Sequence, residues 1–418
     1  MQTLQTPAIR GVRAQEPGTP MDGRTSVYNI NFLRHRARWI RDDLDPRVAR
    51  EGGDALHADE ILKLDEFLRR LRNSNNSIDD IRVSRIHLAI LSIAGHGTRW
   101  PIRLIDRCDE LRVVWEAKYG SLKKLGFLLY EQGGRLYDVC TPEDATQEKL
   151  LAKWLKTPEG TKLSPVRSLR HGDLGFKPGD WWINRLFAFR EGIINHSEAE
   201  GGVIADSIGA YAVVLAGSQE KSCFNSSSFI FRPSNNDKGR YRLTSGAPES
   251  RQPVRILRSH NLQSFLAPKA GLRYDGLHKV SGWSIKRDTK TRAMVYDIHF
   301  VRLPDQQPME EVLSRPWIEE IEDYKEYKRL RQLMKDKKAE AVRPVVGALS
   351  TLAGSADGAC DVNDVHIAAS NSGDLNGDSL AVLKVIRIRD RRPRRGSSFD
   401  TRYKNADDDC ARSDSMFD

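Results

Sequence analysis

The sequence predicts a mixed α+β protein in which a small helical bundle precedes a compact, barrel-like β domain and both termini are disordered. Apolar residues in the first third recur at spacings of three and four, which is the period of amphipathic helices. In the middle third, short β-branched runs bounded by glycines are typical of strands. Both ends are polar and lack an apolar period. Since one core rarely grows to 418 residues, we expect more than one folded unit.

The helical bundle is predicted over residues 28–140. Ile61, Leu64 and Leu68 lie on one face of a first helix. This helix ends in the polar, turn-forming stretch 73–76. Several short amphipathic helices of this kind indicate a bundle, because each must bury its apolar stripe against its neighbours.

Ser77 is placed to cap a second helix, since its side-chain oxygen can accept from a free first-turn N–H. The apolar face of this helix is Ile78, Ile81, Ile86 and Ile90. A third helix follows Pro101 and carries Arg107, Leu111 and Trp115. This order is similar to the helical N-terminal domain of the TFIIS transcription elongation factor family, which implies a docking site for chromatin or transcription proteins. A bundle that only packs has the same pattern, so both interpretations stay open.

A change from helical to strand signals follows the bundle. Residues 141–165 are predicted to be a linker that contains a short helix at 147–155. Three strands are then predicted at 209–217, 253–258 and 294–302. Strands separated by irregular loops favour a compact, barrel-like sheet.

The β-rich segment carries most of the net positive charge of the chain. Residues 166–309 contain 21 basic and 13 acidic side chains, against a net charge of +10 for the whole protein. A basic domain between nearly neutral flanks is typical of a module that binds a polyanion, because neutralised phosphates release their counterions.

The segments outside these two domains are polar. Residues 1–27 are predicted to be a disordered arm and 344–418 a disordered tail, while 311–343 form a charged, mostly exposed helix in which Glu322 pairs with Lys325. A basic cluster in the tail is typical of nuclear-import signals, so we predict a nuclear protein. Its members are Arg387, Arg389, Arg391, Arg392, Arg394 and Arg395.

The sequence contains no motif that predicts catalysis or a cofactor. Its cysteines lie far apart without a C-x-x-C pair, which argues against disulfides and against zinc. They are Cys108, Cys140, Cys223, Cys360 and Cys410. Metalloprotease, phosphate-loop and nucleophile-elbow motifs are missing, and 374–378 has only part of a calcium loop. No apolar stretch is long enough for a membrane span or a signal peptide, so we expect a non-enzymatic protein inside the cell.

A series of motifs follows in a fixed order between Lys177 and Leu303. The series is Gly179 and Asp180 before two tryptophans, Arg185, Gly209 and Tyr211, Arg255 and Arg258, Arg273 to Gly276, and Lys279. Together they resemble the SRA-YDG (SET- and RING-associated) domain, in a style similar to fungal members. The resemblance implies a twisted β-barrel at 166–310 that grips double-stranded DNA on its concave side. It also implies recognition of 5-methylcytosine in hemimethylated CpG by base flipping, which exposes the whole base to a pocket.

The resemblance also implies which residues touch the flipped base. Ser218 and Gln219 follow the buried strand, and Phe224 could supply an aromatic wall, so these three form the candidate base pocket. Gln219 stands where the family has a stacking tyrosine, and the aspartate expected after it is missing. Reading of methylation therefore stays an open question. Glu220 is a candidate acceptor.

Other residues are assigned to DNA contact or to structure. Lys238 and Arg240 lie at the place of a loop that enters the major groove, and His196 at the place of a second loop. The candidate phosphate contacts are Arg185, Arg255, Arg258, Arg273 and Lys279. Arg255 is expected to point away from the core, because its neighbours alternate with it. The motif residues with a structural role are Gly179, Asp180, Gly209, Tyr211, Tyr274, Asp275 and Gly276, the last at a turn where a Cβ would clash.

Two hypotheses from different classes follow. In the first, the protein is a nuclear, non-enzymatic DNA-binding protein with a role in chromatin or epigenetic regulation. In the alternative, the β domain is a degenerate scaffold and the bundle and charged helix dock other proteins. Titration with DNA separates them, because a scaffold binds no duplex even at low salt.

Overall fold

The computed structural model describes residues 27–95, 99–144, 146–156, 165–195, 202–221, 226–246, 251–288 and 292–342. These residues belong to one compact unit of the chain. Helices precede and follow a mixed sheet, which confirms the predicted α+β class. The arm predicted before residue 27 and the tail predicted from residue 344, with its arginine cluster, lie outside the described residues.

The helices lie mainly before and after the sheet. They are α1 (Ile30–Arg38), α2 (Asp45–Glu51), α3 (Ala58–Arg72), α4 (Ile78–Ser84), α5 (Ile86–Ile93), α6 (Ile102–Tyr119), α7 (Gln147–Lys156), α8 (Arg185–Glu191), α9 (Arg240–Thr244), α10 (Met309–Leu313) and α11 (Ile318–Val342). A π-helical segment at Trp39–Leu44 joins α1 to α2. No helix in the described ranges is long and apolar enough to cross a membrane.

The predicted helices of the bundle are present, with one correction. The Ser77 hydroxyl accepts from the backbone N–H of Asp80 at 3.0 Å, and the Asp80 carboxylate accepts in return from the N–H of Ser77 at 2.9 Å. The single helix expected after this cap is broken into α4 and α5 at Arg85, which has a φ of 59°. A non-glycine residue in this left-handed region is strained, so the surrounding contacts must hold it there.

The helix inside the predicted linker packs against the residues on either side of it in the chain. Helix α7 buries Leu150, Leu151 and Trp154. The indole N–H of Trp154 donates to the carbonyl of Val139 at 2.8 Å. Its ring meets that of Phe187 edge-on, with centroids 5.8 Å apart. This segment therefore joins the bundle to the β domain through apolar contact.

The strands form one mixed sheet. They are β1 (Trp181–Trp182), β2 (Gly202–Ala205), β3 (Ala210–Leu215), β4 (Glu220–Lys221), β5 (Ser228–Phe231), β6 (Val254–Ser259), β7 (Leu272–Arg287) and β8 (Met294–Arg302). Their order is β2-β3-β6-β7-β8-β5-β4, and β1 pairs with β7. Only the β3–β6 pair is parallel among the described strands. The strands predicted from sequence are confirmed as β3, β6 and β8, whereas β7, the central and longest described strand, was not predicted.

The hydrogen-bonded path of the sheet is open, because β2 and β4 are its two ends among the described strands. Glu220 in β4 reaches across to Arg258 in β6, with Oε2 and Nε 2.7 Å apart. After β5, the chain crosses to the opposite edge, where Asp237 accepts from the backbone N–H of Val203 in β2 at 2.8 Å. Side chains therefore bridge the gap that strand pairing leaves open.

A β-bulge in β7 sets the direction of the motif residues there. Ile256 pairs with Gly276 while Leu257 pairs with Tyr274, so Asp275 is the extra residue. A bulge of this kind changes where a side chain points. Gly276 lies inside this strand and not in a turn, which corrects the expectation from sequence.

Replacing Gly276 with alanine is expected to lower the free energy of unfolding by at least about 1–2 kcal/mol, because Gly276 has a φ of +101°. A Cβ there would also lie 2.5 Å from Oε1 of Gln306, the atom that accepts from the N–H of Leu277. The measurement is urea unfolding followed by circular dichroism. Gly282→Ala is the control, because nothing lies within 4 Å of its Cβ position in the same strand. Equal effects of the two changes would contradict the prediction.

Helix α11 is not the mostly exposed helix that the sequence predicted. Its first turns bury the carboxylates of Glu319, Glu320 and Asp323. Glu322 pairs with Arg85 at 2.9 Å, and not with Lys325 as expected. The acidic residues of α11 therefore face arginines of the preceding helical region.

Candidate nucleic-acid interface

Several loops meet at one end of the sheet. Strand β3 ends in the loop 216–219, and the antiparallel strand β2 begins beside it, since Gly202 pairs with Val214. The loop 260–271 after β6 joins the same end, because the N–H of Gln263 donates to the carbonyl of Gly217 at 2.7 Å. We call the surface formed by these loops and the loop 233–239 the loop end.

The candidate base pocket lies at the loop end but its polar groups are already bonded. Ser218 is exposed. Oε1 of Gln219 accepts from the N–H of Ala216 at 3.0 Å, and the carbonyl of Gln219 accepts from the N–H of Arg232 at 2.7 Å. The side chain of Gln219 therefore stabilises the turn 216–219. Phe224 lies outside the described residues.

A buried ion network lies directly beneath this loop. Arg258 donates to Glu220 at 2.7 Å and to Asp275 at 2.5 Å. Asp275 also accepts from Nε of Arg273 at 2.6 Å, and Glu220 accepts from the hydroxyl of Ser264 at 3.1 Å. Two guanidinium groups are thus balanced by two carboxylates in the core. Burial by itself would raise the pKa of Asp275. The two arginines lower it more, so its pKa is below the ordinary value.

Three of the candidate phosphate contacts are corrected by these positions. Arg255, Arg258 and Arg273 are at most 1% exposed, so none of them presents its charge to a DNA phosphate in this structure. Arg255 is not part of the apolar cluster that contains Val254 and Ile256, but its side of the strand is covered by the segment 168–172 and it is not exposed. Strand β6 is covered on both sides, and Arg255 donates to the carbonyls of Arg170 and Gly172 at 2.7 and 2.8 Å. Burial lowers its pKa to about 10.

The loop proposed to enter the major groove is anchored at the loop end. Asp237 accepts from Val203 at 2.8 Å and from the N–H of Gly239 at 2.9 Å. A Cβ at Gly239 would lie 2.6 Å from Cβ of Val203, so only glycine allows this close approach. Lys238, between these anchors, is exposed. His196 lies outside the described residues.

The other candidate contacts lie elsewhere. Arg240 begins α9 and its guanidinium lies over the rings of Tyr241 and Tyr296, so it is held on the protein surface. Arg185 at the start of α8 and Lys279 in β7 are both half-buried. The structure therefore does not bring the predicted DNA-binding residues together on one face.

The remaining motif residues hold the backbone. The N–H of Gly179 donates to the carbonyl of Tyr274 at 2.7 Å, and the N–H of Tyr274 donates to the carbonyl of Asp180 at 2.9 Å. Asp206 accepts from both Gly209 and Tyr211, each at 3.0 Å. These contacts tie β7 to the segment before β1 and close the turn between β2 and β3. No group of His, Cys, Asp or Glu that could hold a metal ion occurs among the described residues.

Sequence reasoning missed Phe265 at the loop end. Its side chain is 74% exposed, two residues after Gln263, which is bonded to the loop 216–219. An apolar ring left in solvent beside a polar loop is available to stack on a base. The signal in the sequence was a phenylalanine in a loop otherwise read only for its Ala267 and Pro268 motif.

Comparison with known proteins places the β domain in a family. Residues 170–306 match the family model described as the SAD/SRA domain. The chain therefore contains a domain of the SAD/SRA family, as its motif order indicated.

The chain is also similar to individual proteins. A UHRF1-like protein of Cryptococcus neoformans var. grubii is 26% identical over 162 residues, which cover 33% of this chain and 47% of the relative. The chain thus matches about half the length of this curated relative. The SRA domain of SUVH5, solved with hemimethylated CG DNA, is 21% identical at a TM-score of 0.27, covering 32% of this chain and 93% of that one. KRYPTONITE, solved with mCHH DNA, an H3(1-15) peptide and SAH, is 20% identical at a TM-score of 0.31, covering 39% of each chain.

Proposed function

We propose that this protein binds duplex DNA non-enzymatically through the loop end of its SAD/SRA domain. The observation that carries the proposal is the shared anchor at Asp237, which joins the loop 233–239 to the start of β2. Two loops that approach a duplex from different sides need such a fixed relative position. Exposed Lys238 on this surface supplies a phosphate contact, and exposed Phe265 adds an apolar surface.

Electrostatic attraction supplies most of the affinity in this proposal. The three buried arginines do not contact phosphates, so exposed lysines and arginines of the basic segment 166–309 do so. Phosphate contacts position a protein on DNA without reading its sequence. The proposed role is therefore in chromatin, in the nucleus, where the ligand is duplex DNA.

Methylation is expected to change the affinity by less than about threefold, because a working pocket would give a difference of about 1 kcal/mol or more per base. Glu220 and Gln219 are bonded within the protein, and a flipped base would have to displace those bonds. The cost of unstacking the base would then have no compensating contact.

The test is a titration of the full chain with unmethylated, hemimethylated and fully methylated duplexes of one sequence at several salt concentrations. We expect all three to bind with similar affinity and a steep salt dependence. Strong preference for one methylation state would overturn the phosphate-driven proposal in favour of base reading. Absence of binding at low salt would favour the protein-docking alternative.

Lys238→Gln is expected to weaken binding to all three duplexes equally and to reduce the salt slope by about one unit. The matched control is Lys63→Gln, at an exposed position of α3. An equal loss in both variants would show that net charge alone, and not the loop end, determines binding.

The docking alternative is less well supported by the contacts of its own elements. It relied on the bundle and on the charged helix as free docking surfaces. Glu319 and Asp323 of α11 instead pair with Arg85 and Arg135 of the helical region. Those acidic residues are therefore used within the chain.

A further inference from the structure

The outer half of the β7–β8 hairpin and the start of α9 carry an aromatic and basic surface beside the loop 233–239. We call it the hairpin face and define it by Arg240, Tyr241, Trp283 and Tyr296. Trp283 is 43% exposed and Tyr241 is 50% exposed. Aromatic rings with this much surface in water are uncommon unless they meet a partner.

Strand register brings these rings together. Ile285 pairs with Tyr296 and Trp283 with Ile298, so Trp283 and Tyr296 are diagonal neighbours on one face of the hairpin. Their ring centroids are 6.5 Å apart. Tyr241 from α9 adds a third ring, with its centroid 6.0 Å from that of Tyr296. The three rings therefore form a continuous row.

Arg240 fixes the row and gives it charge. Its guanidinium carbon lies 4.8 Å from the ring centre of Tyr241 and 4.9 Å from that of Tyr296. It donates to the carbonyl of Ser234 at 3.0 Å and to the hydroxyl of Tyr241 at 3.0 Å. The charge of Arg240 lowers the pKa of the Asp237 carboxyl, although burial raises that pKa more. The row therefore has a cation at its centre with one acidic side chain close to it.

The surroundings of the hairpin face are also basic. Exposed Arg287 lies on the same strand face as Trp283, and exposed Arg292, just before β8, is next to it, since Nε of Arg287 donates to the carbonyl of Arg292 at 3.3 Å. Asp297 is the only acidic residue in 279–287 and 294–302. It lies on the opposite strand face, where Arg232 holds its carboxylate at 2.8 and 3.1 Å. An anionic ligand would therefore complement this surface.

We propose that the hairpin face binds single-stranded nucleic acid, with bases stacked on Trp283 and Tyr241 and phosphates on the surrounding cations. Exposed rings interleaved with cations are how proteins hold unpaired strands, because every base has a face to stack. A duplex hides those faces, so this surface is expected to bind a different form of nucleic acid from the neighbouring loop end. An acidic peptide would satisfy the charge but would not use the ring row. The proposal extends the proposed function to a second surface and is tested separately from it.

The experiment measures fluorescence anisotropy of a labelled oligothymidylate of about 12 nucleotides with the full chain. A sugar-phosphate strand of equal length without bases carries the same charge. We expect the oligothymidylate to bind about tenfold more tightly than the strand without bases. Equal binding of the two would overturn the proposal. Competition by polyglutamate that exceeds competition by oligothymidylate would also overturn it, in favour of an acidic protein partner.

Variants localise the effect. Trp283→Ala and Tyr241→Ala are each expected to weaken oligothymidylate binding about fivefold or more, and Trp283→Ala is expected to leave duplex binding unchanged. Tyr137→Ala, a tyrosine 45% exposed in the helical region, is the matched control and is expected to have no effect. Lys238→Gln should have the opposite pattern, weakening duplex binding alone. If Trp283→Ala has no effect on the single strand, the proposal fails whether or not the loop end binds duplexes.

Discussion

Replacing Arg258 with methionine is expected to lower the free energy of unfolding by about 3–5 kcal/mol, the usual cost of removing one partner from a buried ion pair. Arg258 is fully buried and bridges Glu220 and Asp275. Methionine fills much of the same volume, so the loss reports mainly on two carboxylates left without their shared cation. Chemical unfolding followed by tryptophan fluorescence measures the change.

The lowered pKa of Asp275 predicts a second measurable effect, on how stability depends on pH. The pKa of Asp275 is lowered in the folded protein, so its contribution to stability is present above its ordinary pKa. That contribution is lost as the pH falls through the folded value. We therefore expect stability of the wild-type protein to fall on acidification below about pH 4, and to fall less steeply in Arg258→Met.

The control for Arg258 is an exposed ion pair in the same sheet. Lys286 is 69% exposed and lies 3.4 Å from Asp297. Lys286→Met changes the net charge equally, yet it is expected to cost less than about 1 kcal/mol because water screens such pairs. If Arg258→Met also lowers the free energy of unfolding by less than about 1 kcal/mol, the buried network does not have the proposed role. Restoration of stability by the further change Glu220→Gln would support it.

Replacing Arg85 with methionine is expected to lower the free energy of unfolding by about 3–5 kcal/mol and to release the start of α11. Arg85 donates to the carbonyl of Glu319 at 2.6 Å and to Glu322 at 2.9 Å, and it also pairs with Asp323. Its guanidinium carbon lies 4.0 Å from the ring centre of Phe127. These contacts explain why the chain accepts a positive φ at this residue.

Hydrogen exchange distinguishes release of α11 from general destabilisation. Amides of the segment 318–327 should lose protection in Arg85→Met at denaturant concentrations where the sheet stays protected. Arg329→Met is the control, because Arg329 is 58% exposed and pairs within α11 with Glu326. Unchanged protection of α11 in Arg85→Met would contradict the proposed docking contact.

Acid should also weaken the contact between the start of α11 and the arginines of the helical region. Burial by itself would raise the pKa values of Glu319 and Glu322. Hydrogen bonds and charges of nearby arginines lower them more, so both pKa values are below the ordinary value. Their stabilising effect is therefore present at neutral pH and is lost as the pH falls through the folded values. We expect α11 to lose protection on acidification in the wild-type protein.

Local signals in the sequence were sufficient for several elements. The cap at Ser77 and the apolar period after Ala58 depend on residues within a few positions of each other. The run that forms β3 is β-branched and apolar, and it is buried throughout. The glycine requirement at Gly276 was also predicted, although its place in a strand was not. Motif order in the central third was enough to identify the SAD/SRA domain.

Long-range contacts decided the rest. Alternation along β6 predicts one buried and one exposed face, but this strand is covered on both sides, so Arg255 and Arg258 are buried. Strand β7 escaped prediction because its glycines and charges interrupt the apolar pattern.

By itself, the sequence determined the α+β class, the capped helices, three strands and the family of the central domain, because these depend on local periods and on motif order. Only the tertiary structure decided which charges are available to a ligand. Arg85 meets Asp323 across 238 positions of the chain, and Arg258 meets Glu220 across 38. The exposure of a charged side chain depends on such distant partners, which no local pattern contains.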